Sequence, residues 1–118
     1  MKESILKTKS FAFAVRIVKM QQYLQKNKKE FILSKQIVRS GTAIGALVYE
    51  AQYSQSTADF IHKLSISQKE AHETEFWIDL LEASDYLSAS TKENIKADLV
   101  ELQKMLVASI KTSKAKKQ

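Results

Sequence analysis

Apolar and small residues recur at alternating intervals of four and three positions between Asp59 and Leu81. The recurring positions are Phe60, Leu64, Ser67, Ala71, Thr74, Ile78 and Leu81. Because an α-helix has about 3.6 residues per turn, side chains at these intervals share one helix face. The side chains of this stripe are large at its ends and small in its middle. The stripe therefore predicts a partner helix that comes close at Ser67 and Ala71.

The same spacing predicts four helices, at about residues 10–26, 31–53, 57–84 and 91–112. The other three core stripes are Phe13, Ile17, Met20 and Leu24; Ile37, Gly41, Ile44, Val48 and Ala51; and Ile95, Leu99, Leu102 and Leu106. Polar pairs with capping-box spacing mark three helix starts: Asn27 with Glu30, Ser56 with Asp59, and Ser90 with Glu93. Short connections between long amphipathic helices predict an all-α, antiparallel up-down-up-down four-helix bundle over residues 1–112, followed by a basic tail at 113–118.

Glycine and proline are scarce, which agrees with long helices and few tight turns. Proline is absent, and the two glycines, Gly41 and Gly45, lie one turn apart in the second helix. Each glycine in a helix interior costs about 0.5–1 kcal/mol relative to alanine. Close packing against a neighbouring helix would explain both residues, and a flexible kink is the alternative.

Two of the predicted helices are apolar on more than one side. Phe11, Val15 and Val18 lie nearly opposite the core stripe of the first helix, and the last turns of the third helix add Phe76 and Leu80. A helix that is apolar on two sides is usually buried on two sides. In a chain of 118 residues we expect the second side to meet another subunit, so these five residues are the predicted oligomer interface.

Composition restricts the environment of the protein. The chain has no cysteine, which excludes disulfides and thiolate metal sites and favours an intracellular protein. Its longest uncharged stretch, Ser40–Tyr49, has ten residues, about half the length that a membrane-spanning helix needs. The sequence opens without a signal-peptide pattern. We therefore expect a soluble cytoplasmic protein.

Charge is distributed unevenly along the chain. Residues 1–49 carry ten Lys and Arg against two acids, residues 50–101 carry four lysines against eleven acids, and residues 102–118 add five lysines. The net charge is +6. If subunits pack head to tail, the basic surface of the first two helices could face the acidic third helix of the next subunit.

No set of residues in the sequence predicts catalysis. Di-iron bundles use paired Glu-x-x-His motifs, whereas the nearest match here, Asp59-x-x-His62, occurs once and lies off the apolar stripe. Ser67 and Thr74 share the third helix with histidines, but their positions predict packing rather than nucleophilic attack. There is no Gly-rich phosphate loop, since Gly41 and Gly45 are mid-helix. We expect a non-enzymatic protein without a metal or cofactor.

Lysine clusters make nucleic acid the more serious candidate ligand. The predicted binding residues are Lys26, Lys28, Lys29, Lys35, Arg39, Lys111, Lys114, Lys116 and Lys117. Such clusters neutralise backbone phosphates without reading the base sequence. Aromatic residues for base stacking are few, with Tyr23 and Phe31 flanking the first connection. Basic loops that only keep a protein soluble are the alternative.

Three runs of residues resemble a known family. SFAFAVRIVK (Ser10–Lys19), LSKQIVRSGTAIGALVYEA (Leu33–Ala51) and DFIHKLSISQKEAHETEFWIDLLEASDYL (Asp59–Leu87) resemble the four-helix-bundle proteins encoded in 23S rRNA intervening sequences. The resemblance implies a bacterial protein that assembles as a homopentameric ring without catalytic activity. A more distant relative, the retroelement accessory variability protein, binds nucleic acid and a reverse transcriptase. The run Ala43–Leu47 departs from the Ser-Ile-x-x-Asn that the family often has, which removes two polar contacts.

Together these observations predict a homo-oligomeric helical scaffold, with a pentamer as the form that the resemblance implies. Its expected function is to bind RNA, DNA or a nucleoprotein partner through the basic surface residues. The alternative is a structural or protein-partner module with no nucleic-acid role.

Overall fold

Four antiparallel helices form the protein. The computed structural model describes residues 2–117, with side chains described for residues 5–116. The helices are α1 (Lys2–Asn27), α2 (Leu33–Ala51), α3 (Thr57–Ala83) and α4 (Ala89–Lys117), and no strand occurs within residues 2–117. Helices that are consecutive in the chain contact each other and α1 also contacts α4, so the bundle closes into a rod of 49 × 21 × 20 Å. The predicted all-α four-helix bundle is confirmed.

The core consists of the residues that the periodicity selects. Every member of the four predicted stripes is buried except Phe60, which is half-buried beside the α2–α3 turn. The small middle of the α3 stripe lies against α2, where the Ser67 hydroxyl donates to the Ile44 carbonyl oxygen at 3.0 Å. Two turns further along α3, the Thr74 hydroxyl donates to the Ser40 hydroxyl of α2 at 3.0 Å. The predicted close approach of a partner helix at the small residues is therefore confirmed.

The two glycines of α2 allow an equally close approach of α1. A Cβ atom at Gly41 would lie 2.8 Å from Cγ1 of Ile17, and one at Gly45 would lie 3.2 Å from the carbonyl oxygen of Ser10. Helix α2 runs without interruption through both positions. Close packing, rather than a kink, explains the glycines.

Both terminal helices are longer than predicted. Helix α1 begins at Lys2 rather than near Ser10, because Leu6 continues the buried stripe one turn earlier and is only 2% exposed. Residues 113–117 continue α4 rather than forming a frayed tail. Ile110 is still buried there, and the following lysines and alanine are good helix formers with no glycine or proline to end the helix.

Of the three predicted helix starts, one is capped as expected. The Ser56 hydroxyl accepts from the backbone N–H of Asp59 at 3.0 Å, which confirms the cap of α3. Asn27 belongs to the last turn of α1, so its predicted role as the cap of α2 is wrong. At α4 the cap is the hydroxyl of Ser88, which accepts from the Thr91 N–H, and not that of Ser90.

Candidate nucleic-acid interface

A buried carboxylate organises the loop between α1 and α2. Glu30 is 8% exposed, and its carboxylate accepts hydrogen bonds from the backbone N–H groups of Ile32, Leu33 and Ser34 at 3.1, 2.9 and 2.7 Å. These groups lie at the start of α2 and have no partner inside the helix. Burial raises the pKa of Glu30, but the three backbone hydrogen bonds outweigh it and hold the pKa below its ordinary value.

The backbone of the same loop is closed on both sides. The N–H of Glu30 donates to the carbonyl oxygen of Leu24 at 3.0 Å, which ends α1. Lys29 takes the left-handed conformation, with φ of 55°, that the tight connection requires. The loop is therefore held by hydrogen bonds at each end, and its lysine side chains extend from a defined backbone.

Four lysines surround this loop and have no acidic partner. Lys26, Lys28, Lys29 and Lys35 are all exposed, and no acid among the described residues lies within ion-pair distance of them. We call these four residues the loop-end lysines. They are the part of the predicted interface that lies at this end of the bundle.

Arg39, in contrast, is already engaged by α3. Its guanidinium pairs with the carboxylate of Glu73 and with that of Glu70, the latter at 3.3 Å. The hydrogen bond from Arg39 to Glu73 raises the pKa of Arg39 above its ordinary value. Arg39 follows Lys35 by one turn, but it lies on the side of α2 that faces α3. Arg39 therefore links α2 to α3 by ion pairs and is not part of the loop-end lysines.

The C-terminal lysines lie at the other end of the bundle. Because Arg16 of α1 pairs with Asp98 of α4, the rise per residue puts Lys26 and Lys114 roughly 40 Å apart along the rod. Lys111, Lys114 and Lys116 are exposed there, and the side chain of Lys117 lies outside the described residues. The predicted basic surface is thus divided between two ends.

The carboxylates of α3 already form ion pairs within the subunit. Besides the pairs with Arg39, Lys92 of α4 lies 3.3 Å from Glu82, and Lys96 lies 2.7 Å from Asp79. These carboxylates flank α3 on its α2 and α4 sides. A head-to-tail contact between a basic surface and α3 would therefore meet acids that already have partners.

Sequence reasoning missed a group of residues beside the loop. Arg16, Lys19 and Tyr23 of α1 share a cleft with Lys28 and with Tyr86 of the α3–α4 loop. The spacing of Lys19, Tyr23 and Lys26, which places them on one side of α1, was the available signal. The contribution of Tyr86 depends on how the helices pack, which local spacing does not specify.

The predicted oligomer interface divides into two apolar faces. Phe11, Val15 and Val18 are 56%, 39% and 37% exposed on α1, and the Phe11 ring lies 6.4 Å from the Tyr49 ring of α2. We call this the α1–α2 face. Phe76 is 57% exposed on the outer side of α3, with half-buried Leu80 one turn further on. The two faces are separate surfaces, because α1 and α3 are diagonal in the bundle.

The described residues hold no metal-binding cluster and no membrane span. No three His, Cys, Asp or Glu side chains of this part of the chain are grouped so that they could hold a metal ion. Within the same residues, no helix is both long and apolar enough to cross a bilayer.

Fold and surface together define a class, namely a small antiparallel four-helix bundle with basic ends and exposed apolar faces. The chain belongs to the 23S rRNA-intervening sequence protein family, whose model matches residues 2–108. It is similar to a protein of unknown function from the S23 ribosomal protein family of Bacteroides thetaiotaomicron, whose crystal structure superposes with a TM-score of 0.93. The two sequences are 50% identical, and the match covers 94% of this chain and 99% of that one. Among curated proteins, none matches significantly. The predicted family is confirmed.

Proposed function

We propose that this protein is a non-enzymatic, homo-oligomeric scaffold of the bacterial cytoplasm that binds RNA or DNA through its loop-end lysines. One observation carries the proposal. The acids of α3 are paired within the subunit, whereas Lys26, Lys28, Lys29 and Lys35 have no acid within reach among the described residues. Uncompensated positive charge therefore remains at the loop end, where hydrogen bonds hold the backbone that carries it.

Lysines in this arrangement suit phosphates rather than bases. Each ammonium group is a hydrated point charge on a flexible stem, which tolerates the varied positions of backbone phosphates. Neutralising a phosphate releases condensed counterions, so that affinity falls steeply with salt. Contacts to phosphates carry no sequence information directly, so we expect little preference for sequence.

Salt-dependent gel shifts with a short RNA and with the matching DNA duplex test the proposal. The informative variant is Lys28→Gln, Lys29→Gln, Lys35→Gln. Between about 50 and 200 mM salt, its plot of log affinity against log salt should be shallower by about 2 to 3 than that of the natural protein. Neutral glutamine avoids the attraction to Lys and Arg that a new acid would create.

A matched variant at the other end of the bundle is the control. Lys111→Gln, Lys114→Gln, Lys116→Gln removes the same charge from exposed helical positions. It should leave most of the salt slope unchanged. Equal losses in both variants would mean that only net charge matters, and no shift at low salt would refute binding altogether. The absence of any shift would favour a structural or protein-partner module.

Self-association is the second part of the proposal, and the apolar faces support it. The α1–α2 face and the Phe76 side of α3 are two separate exposed surfaces of one subunit. Two different surfaces that bind each other make a heterologous contact, which closes into a ring when the rotation permits. Membership of the family adds a pentamer as the expected ring. The mass measured by light scattering should then be five times 13.4 kDa.

A purely structural or protein-partner module is the competing function. The exposed α1–α2 face favours it, since an apolar surface of this kind can receive another protein as readily as a second copy. It predicts the same oligomer mass without any affinity for nucleic acid. Gel shifts therefore separate the two functions, and light scattering on the same preparation tests the oligomer that both share.

A further inference from the structure

A cleft of about 670 Å³ opens between α1 and the start of α4, next to the loop-end lysines. Its floor is apolar and consists of Met20, Leu87 and Ile95, which are 8%, 7% and 1% exposed. The α3–α4 loop closes one side of the cleft, held by the hydrogen bond from the Tyr86 N–H to the Leu81 carbonyl oxygen at 2.8 Å. The volume falls within the range of about 300–1,000 Å³ that is usual for small-molecule sites.

Three cationic side chains line the rim of this cleft, and two of them form no ion pair with a described residue. Arg16 is held by Asp98 at 2.5 Å and by Asn94 at 2.7 Å. Lys19 and Lys28 are exposed and make no ion pair with any described residue. They lie on α1 and on the α1–α2 loop, so both ammonium groups can approach one anion from the same side of the cleft.

Two aromatic rings and one acid complete the lining. Tyr23 is 44% exposed on α1, one turn after Lys19, and Tyr86 lines the cleft from the α3–α4 loop. Aromatic rings beside cations are the usual means of holding a base and its phosphate together. Asp85 is the one acid among the lining residues, and its carboxylate has no ion-pair partner in the described structure.

We propose that this cleft binds a nucleoside monophosphate, with its phosphate at Lys19 and Lys28 and its base against Tyr23 and Tyr86. The ligand is a free nucleotide or the phosphorylated 5′ end of a strand, since both present the same chemistry. The site shares Lys28 with the loop-end lysines, but it differs from them in having an apolar floor and ring faces for one base. It does not depend on the strand binding proposed above.

Isothermal titration calorimetry with adenosine monophosphate tests the site. Adenosine, inorganic phosphate and octanoate serve as comparison ligands that lack the phosphate, the base and both, respectively. We expect binding of the monophosphate in the micromolar-to-millimolar range and much weaker binding of the other three. If phosphate or octanoate binds as tightly as the monophosphate, recognition of a nucleotide is refuted.

Variants locate the binding in the cleft. Lys19→Gln should weaken the monophosphate about tenfold, as expected for the loss of one charge-assisted contact. Tyr23→Leu should weaken it more than Tyr23→Phe, which retains the ring. Asp85→Asn should tighten it, because it removes the acid from the rim and suits the left-handed backbone there, with φ of 68°. The control is Lys69→Gln, an exposed lysine on α3 outside the cleft.

The source of the ligand and the independence of the two proposals are tested with oligonucleotides. A 5′-phosphorylated strand that binds more tightly than its unphosphorylated form, with the difference lost in Lys19→Gln, identifies a strand end; equal affinities identify a free nucleotide. The pair Lys29→Gln, Lys35→Gln should weaken binding of an unphosphorylated strand and leave monophosphate binding intact. Lys19→Gln should weaken monophosphate binding and leave binding of the unphosphorylated strand intact. Unchanged monophosphate affinity in Lys19→Gln and Tyr23→Leu would overturn the site.

Discussion

The buried carboxylate of Glu30 is expected to stabilise the protein more than any other acid among the described residues. The perturbation is Glu30→Gln, which keeps the size of the side chain and one acceptor oxygen but removes the charge. In the structure this carboxylate accepts three backbone N–H bonds, of which the one from Ser34 is fully buried. Glutamine has a single acceptor oxygen, so at least one donor loses its partner.

The magnitude follows from those three donors. An unsatisfied buried donor costs about 1–3 kcal/mol, whereas the half-exposed N–H groups of Ile32 and Leu33 can recover water. Losing a negative charge at the start of α2 costs a further 0.3–1 kcal/mol or so. In Glu30→Gln the remaining oxygen can still accept from the buried Ser34 N–H, so we expect the free energy of unfolding to fall by about 1–2 kcal/mol. Glu30→Ala also leaves that donor unsatisfied and should lower it by about 2–3 kcal/mol.

The stabilisation that Glu30 provides should depend on pH. Since the pKa of Glu30 is lowered on folding, its stabilisation is complete above the ordinary value of about 4.3 and is lost as the pH falls through the folded value. The difference in stability between the natural protein and Glu30→Gln should therefore be largest above pH ~5 and shrink towards pH ~3. Asp59 and Glu73, whose pKa values are also lowered, affect both proteins equally and cancel in the difference.

Urea unfolding followed by circular dichroism, at one fixed protein concentration, measures these differences. The control is Glu93→Gln, because Glu93 is an exposed acid in the first turns of α4 that makes no capping bond in the structure. It should change the stability by less than about 0.5 kcal/mol. If the two glutamine variants are equally stable, or if the Glu30 difference does not shrink in acid, the capping role is refuted.

Three further substitutions test the packing and the surface. Gly41→Ala should destabilise the protein by about 1 kcal/mol in urea, although alanine is the better helix former, because its Cβ would overlap Ile17; in an Ile17→Ala background the same change should stabilise it. Lys29→Gly should raise the free energy of unfolding by about 0.5–1 kcal/mol by relieving the left-handed residue, and Lys29→Ala should not. Phe11→Glu should reduce the mass seen by light scattering towards 13.4 kDa, whereas Tyr53→Glu, an exposed aromatic outside both apolar faces, should not.

The core was predictable because burial acts on every turn of a helix. Leu64, Ala71 and Ile78 repeat the same requirement, so an error at one position does not change the stripe. Helix ends depend instead on single hydrogen bonds. The run Asn27–Glu30 contains two side chains that could cap α2, and only the path of the chain decides that Asn27 continues α1 while Glu30 turns back onto the start of α2.

The basic surface was harder to predict, because charge along the sequence does not show which residues face each other across helices. Lys35 and Arg39 are one turn apart, yet only Arg39 lies where α3 supplies two carboxylates. Likewise, the lysines of the C-terminus are separated from those of the loop by the length of the bundle. The neighbouring helix therefore decides whether a cation of α2 is paired within the subunit or left without an acidic partner. If α3 were rotated by half a turn, Arg39 would lose its two carboxylate partners and the acids Glu70 and Glu73 of α3 would be unpaired. Those free carboxylates would repel the nucleic-acid strand that this arrangement is proposed to bind.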